Sequence, residues 1–305
     1  TQTAACGCRA FHYRMGALPP QATPMLASTV DLHMHSTASD GRLSPATVVQ
    51  RAAEAGVELM SLTDHDTLDG VVEARKAAAD AGIRCLPGIE LSARWARGVV
   101  HIVGLGVDVD NRCLQDGVAA QQRARLARAR QIVTRLERAG IEDLEGRLAA
   151  MVGGGVPGRA HVARCLVEAG HARDIQQAFD RFLQRGRPGY APVTWAGIDA
   201  VVDWIGQAGG GAVFAHPLRY RISRGALRAA IGAFVEAGGT AIEVSNAGGG
   251  RDDQAAAAAL ARRFALKASM GSDFHDPDFP WIQIGRLAPL PRDLTPVWED
   301  LGGVQ

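Results

Sequence analysis

Several things are scarce in this chain of 305 residues, and each scarcity excludes something. Its five cysteines, Cys6, Cys8, Cys85, Cys113 and Cys165, are odd in number and scattered. That pattern excludes a small disulfide-stapled fold and suits a reducing, cytoplasmic setting. No apolar run approaches the length of a bilayer span, so no membrane partner is expected. The formal net charge is only +1, which implies no global polyelectrolyte partner. Residues 1–24 lack the apolar stretch of a signal peptide and are broken by Pro19, Pro20 and Pro24; they read as a disordered leader. Cys6, Cys8 and His12 lie in it without a fourth ligand, and read as a tail rather than a metal site. What is plentiful is apolar residues, 47% of the chain, ample for a core.

The most informative stretch is Asp31-Leu32-His33-Met34-His35-Ser36-Thr37-Ala38-Ser39-Asp40-Gly41. On a strand, residues two apart share a face, so His33 and His35 aim two imidazoles at one point. With Asp40 they make a donor set suited to a divalent ion. Similar polar fragments recur after later apolar runs: Thr63-Asp64-His65-Asp66, Pro87-Gly88-Ile89-Glu90, His101, His216-Pro217 and Gly271-Ser272-Asp273-Phe274-His275. One such pair on a strand is often just a pair of satisfied side chains; the recurrence argues for a built site.

Periodicity and punctuation predict strands over 30–33, 57–62, 84–86, 99–104, 212–215, 241–244 and 266–270. Helices are predicted over 45–55, capped by Ser44 with Pro45 first, and over 68–81, 199–208, 225–237 and 254–264. Strands separated by helices imply an α/β fold with a parallel sheet. The polar fragments then sit at carboxyl ends of strands, where ligands bind in such folds. Because nearly every strand contributes one, a closed or distorted barrel is expected.

These motifs, matched in order across residues 31–275, resemble the set of the polymerase and histidinol phosphatase (PHP) family. The resemblance implies a distorted seven-stranded (β/α) barrel, formed by 25–107 and 191–305, with three divalent ions at one face. Manganese is the expected metal, with iron or zinc as alternatives. The resemblance also assigns the ligands. His33, His35 and Asp273 would hold one ion, and Glu90 would bridge it to a second that takes His101 and His216. Asp40, His65 and His275 would hold the third. Asp64 would either orient His65 or donate a proton. Together with Glu90 and His216 it is counted among the catalytic residues. The implied activity is hydrolysis of phosphate esters by a metal-activated hydroxide. Ser36 and Ser272 read as turn or hydrogen-bonding residues rather than nucleophiles, with Ser36 near enough to contact substrate.

Residues 108–190 read as an inserted helical domain over the barrel. Its first helix, over 115–139, carries Leu126, Ile132, Val133 and Leu136 as its apolar stripe. Further helices follow over 162–169 and 175–183. Of the chain's 33 basic and 32 acidic residues, 13 arginines and 7 acids fall in 121–190, which leaves 20 and 25 elsewhere. A basic insertion beside an acidic, metal-loaded barrel suits an anionic substrate. The arginines between Arg123 and Arg138 read as a solvated helix face. Arg159, His161 and Arg164 follow a glycine-rich loop at a helix start, where backbone N–H groups favour anions, and are expected to bind substrate phosphate. Asn246 is a further candidate contact. This insertion resembles that of bacterial enzymes of the ribonuclease AM type, which act on nucleoside 3′,5′-bisphosphates and RNA 5′ ends. Expected partners are therefore a small nucleotide or an RNA 5′ end, with no obligate protein partner. Two other readings stay open: a phosphatase for another small phosphomonoester such as histidinol phosphate, and a non-catalytic or proofreading module.

Overall fold

The computed structural model describes residues 28–96 and 98–301. The expected leader, with Cys6, Cys8 and His12, lies outside them.

Seven strands form one sheet in chain order: β1 (Val30–Met34), β2 (Leu59–Leu62), β3 (Arg84–Trp95), β4 (Gly98–Leu105), β5 (Gly211–Phe214), β6 (Ala241–Asn246) and β7 (Lys267–Gly271). The sheet nearly closes on itself. Asp273 N–H donates to His33 O at 2.7 Å, and His35 N–H donates to Phe274 O at 2.8 Å. Gly271 makes that closure possible, because a Cβ there would overlap the Cβ of His33.

The expectation of a wholly parallel sheet needs correction. β1–β2–β3 and β5–β6–β7 pair in parallel, but β4 is antiparallel to both neighbours. Too few residues separate β3 from β4 for a crossover helix, so the two form a hairpin. Alternation along the strands shows what this does to the barrel. On β3, apolar Leu86 comes first and Glu90 four residues later; on β4, His101 comes first and Val103 and Leu105 follow. Leu86, Val103, Leu105, Val213 and Ala241 pack into one cluster with Leu32 and Leu59. The polar ends of both strands therefore lie on the same side of that apolar plug, although the strands run in opposite directions.

Between the first strands lie α1 (Pro45–Glu54) and α2 (Val71–Ala81). Ser44 caps α1 by accepting from Thr47 N–H, and Gly82 ends α2 in the left-handed region at φ 71°. Between β4 and β5 come α3 (Arg112–Arg138), α4 (Leu144–Val152), α5 (Arg159–Glu168), α6 (Ile175–Ala178), a π-helical turn over Phe179–Leu183, and α7 (Ile198–Gln207). The last two helices are α8 (Arg224–Glu236) and α9 (Arg251–Arg263). Helix α4 has no counterpart in the sequence expectations.

Helix α3 serves two packing units. Its start, through Leu114 and Val118, packs with Ile198, Ile205 and the barrel strands. Its end, through Ile132, Val133 and Leu136, packs with Leu148, Leu166 and Ala178 of the following helices. Leu126, expected in the apolar stripe, is instead 41% exposed, because it falls where α3 passes from one unit to the other. Among the described residues no helix is long and apolar enough to cross a membrane.

Candidate metal centre

The nine residues expected to bind metal converge. His33 and His35 leave the end of β1, and their Nε2 atoms are 3.1 Å apart. His35 Nε2 is 3.1 Å from Asp273 Oδ1 and 3.4 Å from Glu90 Oε2. Glu90 is the hub. Its Oε1 lies 3.0 Å from both His101 Nδ1 and His216 Nε2, and its Oε2 lies 2.8 Å from His65 Nδ1. Asp40 Oδ1 is 3.4 Å from His275 Nε2 and 4.0 Å from His65 Nε2. Three sets of donor atoms lie close enough together to hold an ion: His33, His35, Glu90 and Asp273; His35, Asp40, His65 and His275; and His65, Glu90 and His101. His35, His65 and Glu90 each belong to two sets, which places the sets side by side.

The electrostatics of this cluster fit cations. Burial pushes the Glu90 carboxyl up, but His65, His101 and His33 outweigh it and hold Glu90 well below the usual carboxylate range. Asp40 is likewise held low, by His65 and His275 against burial. Burial pulls His35 down to about 3, with His275 adding to the effect, so its imidazole is neutral and able to donate a lone pair. Glu90 Oε2 and Asp40 Oδ1 are buried yet accept no hydrogen bond. A buried carboxylate oxygen in that state is costly unless a cation sits against it. The residues present thus fit divalent ions.

Strained backbone borders the site. Asp66, His216 and Asp273 have φ of 51°, 28° and 55°, each just past the end of a strand. Residues held this way persist only where surrounding contacts over-determine them. Asp66 is the clearest case: its carboxylate accepts from Ser92 N–H at 2.8 Å, from Ser92 Oγ–H at 3.0 Å and from Arg125 Nε–H at 2.5 Å.

The other expected site residues are placed as follows. The hydrogen bonds of the Asp64 carboxylate run to the turn after β1. It accepts from Ser36 N–H at 2.7 Å, Ser36 Oγ–H at 2.6 Å and Ser39 Oγ–H at 2.6 Å. It therefore shapes the turn that carries Asp40, and the Ser36 hydroxyl is occupied in doing so. His161 lies in the first turn of α5 rather than in the loop before it; its Nδ1 accepts from Gly158 N–H at 3.0 Å. Arg164 donates to Asp40 O at 2.6 Å. Asn246 donates its amide to Glu243 Oε2 at 2.6 Å. Each of these five has a partner within the protein that fixes it in place.

Arg159 is different. It is partly buried at the start of α5, with its guanidinium carbon 5.6 Å from the centre of the Phe179 ring. Burial, then Arg125, pulls it down to about 10, and burial, then Arg159 and Arg125, pulls Arg128 down to about 9. Among the described residues neither Arg128 nor Arg159 has a carboxylate within ion-pair distance. The solvated-face reading of the arginine run holds for Arg123, Arg130, Arg135 and Arg138, which are exposed. It fails for Arg125 and Arg128, which turn inward. Arg125 bridges Asp66 to the Trp195 ring, 5.3 Å away, and Arg128 donates to Ala191 O at 3.1 Å.

Three residues escaped the sequence reading. Glu243 is buried on β6 with His33 Nδ1 at 2.5 Å. Arg219 pairs with Asp273 and donates to Ala247 O at 2.9 Å. Arg125 was lost among its neighbours in the arginine run. Only Arg219 carried a signal, its place three residues after His216.

Comparison with known proteins fits this geometry. Residues 31–187 match the PHP domain. The chain is 42% identical over 272 residues to a 5′-3′ exoribonuclease Rnm of Salmonella typhimurium, covering 88% of this chain and 92% of that one. It is 42% identical over 275 residues to a 3′,5′-nucleoside bisphosphate phosphatase of Chromobacterium violaceum, covering 90% and 96%. A solved amidohydrolase from Chromobacterium violaceum, with bound sulfate and no metal, superposes with a TM-score of 0.86 at 41% identity, covering 90% of this chain and 96% of that one.

Proposed function

The chain belongs to the PHP family, and on that premise we propose that it is a metal-dependent phosphoesterase that removes the 3′-phosphate of nucleoside 3′,5′-bisphosphates and trims RNA from its 5′ end by the same chemistry. The observation that carries this reading is the convergence of seven imidazole and carboxylate side chains around Glu90 and Asp40.

His33, His35, Asp273 and Glu90 would hold one divalent ion and Asp40, His65 and His275 a third; Glu90 and His101 would hold the second, with His216, which is outside the tightest donor sets but has Nε2 3.0 Å from the same Glu90 oxygen as His101; manganese is our first choice. Such ions supply Lewis acidity and a nucleophilic water at neutral pH. The protein's own residues do the rest. Glu90 presents one carboxylate oxygen to each side of the centre. Asp64, through Ser36 and Ser39, fixes the turn that aims Asp40. Arg125 ties α3 to Asp66, next to His65, and so brings the helices between β4 and β5 against the centre. Arg128 and Arg159, close enough to Arg125 to feel its charge, then offer two guanidinium groups suited to a phosphate. A substrate with two phosphates, one at the centre and one on these arginines, is oriented at both ends. We place the protein in the cytoplasm, in keeping with free Cys85, Cys113 and Cys165.

The reading is tested by phosphate release from a nucleoside 3′,5′-bisphosphate before and after chelation. Activity should vanish with the metal and return with added Mn²⁺. Turnover that survives complete removal of divalent ions would overturn it.

A further inference from the structure

Glu243 is 1% exposed and faces three hydrogen-bond donors. Its Oε1 lies 2.5 Å from His33 Nδ1. Its Oε2 accepts from His216 N–H at 2.6 Å and from Asn246 Nδ2–H at 2.6 Å. Only a carboxylate, which accepts at both oxygens and donates at neither, satisfies all three. Two of the three partners are His33 and His216, which approach Glu90 from different sides. His33 Nε2 is 3.4 Å from Glu90 Oε2, and His216 Nε2 is 3.0 Å from Glu90 Oε1.

We propose that Glu243 is a positioning residue of the metal centre, holding His33 as the Nδ1–H tautomer and His216 in its strained backbone so that both Nε2 atoms face the ions. This rests on the metal-centre reading and adds to it a residue that touches neither ion nor substrate. For His33 the reasoning is tautomeric. A neutral imidazole carries one N–H. If Nδ1 donates to Glu243, Nε2 is left with the lone pair that a ligand needs. For His216 the reasoning is conformational. At φ 28° and ψ 60° its backbone lies off the ordinary basins, and its N–H points to Glu243 Oε2. Asn246, at the end of the same strand, completes the carboxylate's contacts.

Glu243→Gln tests this at constant size. A carboxamide must place its NH₂ either toward His33 Nδ1 or toward the two donors at His216 and Asn246. The first placement selects the wrong His33 tautomer, and the second sets donor against donor. Metal affinity, measured by chelator competition with Mn²⁺ on the full chain, should fall about 10- to 100-fold while the far-UV spectrum is kept. Activity lost at low Mn²⁺ should return in part as Mn²⁺ is raised. In the wild-type protein loaded with diamagnetic Zn²⁺, nitrogen-15 spectra of the histidine rings should show His33, assigned by its loss in His33→Gln, protonated at Nδ1 and not at Nε2. The same signal in Glu243→Gln should move toward a tautomer mixture. Unchanged Mn²⁺ affinity in a folded Glu243→Gln would overturn the positioning role and leave the metal centre standing. So would an Nε2–H tautomer of wild-type His33, which needs no variant to fold. A wild-type protein that binds no divalent ion would overturn both readings.

Discussion

The guanidinium of Arg164 donates to the backbone carbonyl of Asp40 at 2.6 Å, so a helix inserted between β4 and β5 holds the turn that aims a carboxylate of the candidate metal centre. Val156 N–H adds a second tie, to Ala38 O at 3.1 Å. The role expected of Arg164 from its position was contact with substrate, and this bond gives it another.

Arg164→Met keeps the apolar stem and removes the bond. A charged hydrogen bond of this kind contributes about 1.5–3 kcal/mol. Released Asp40 should weaken Mn²⁺ binding and lower kcat/KM about 10-fold or more. The loss should be the same on a nucleoside 3′,5′-bisphosphate and on a 3′-mononucleotide. A loss confined to the bisphosphate would return Arg164 to the phosphate site.

Arg159→Ala should do the opposite. With no carboxylate to neutralise it, Arg159 is assigned to the second phosphate. Its removal should lower kcat/KM on the bisphosphate roughly 10- to 150-fold and barely affect a substrate without a 5′-phosphate. Steady-state kinetics on both substrates decide it. A uniform loss would mean that Arg159 supports the fold, through its contact with Phe179.

His161 predicts a pH dependence of stability. Burial pushes its pKa down from 6.5 to about 4, with Arg164 and Arg125 adding to the effect. Between those values the unfolded chain binds a proton that the folded one excludes, so stability rises with pH across this window. The contribution is complete above 6.5 and is lost as pH falls towards 4, at most roughly 3–4 kcal/mol. Thermal melts of wild type and His161→Gln, compared at pH 7 and pH 5, should differ in slope. Parallel curves would show that His161 is not the group responsible.

The convergence of the candidate ligands was legible in the sequence because His33, His35, His65, His216, Asp273 and His275 stand at the ends of short apolar runs, where polar residues have little structural reason to cluster. His101 was legible as a residue but not as a direction. Alternation along 99–104 reads the same for a parallel and an antiparallel strand, and only the short link to β3 separates them. Glu243 was hidden inside Ile242-Glu243-Val244, where one acid in an apolar strand looks like an outward-facing residue. Arg125 and Arg128 were hidden by repetition, since helical spacing does not say which arginine meets Asp66 and Ala191. Helix α4 begins at Asp143 with φ 57° and no side-chain cap, so its start left no local mark.

Glu90→Gln should abolish turnover and lower metal content while the barrel stays folded, because both carboxylate oxygens face donor sets. Metal activation contributes several kcal/mol, so a metal-replete variant keeping more than about a tenth of wild-type rate would contradict the hub role.

The most direct test of the account is the ratio of kcat/KM for a nucleoside 3′,5′-bisphosphate to that for the matching 3′-mononucleotide, measured with Mn²⁺ on the wild-type protein. Two anchored phosphates predict a ratio of about 100 or more, equivalent to ~2.7 kcal/mol of transition-state stabilisation from the remote group. A ratio near one, or equal turnover of histidinol phosphate, would contradict it.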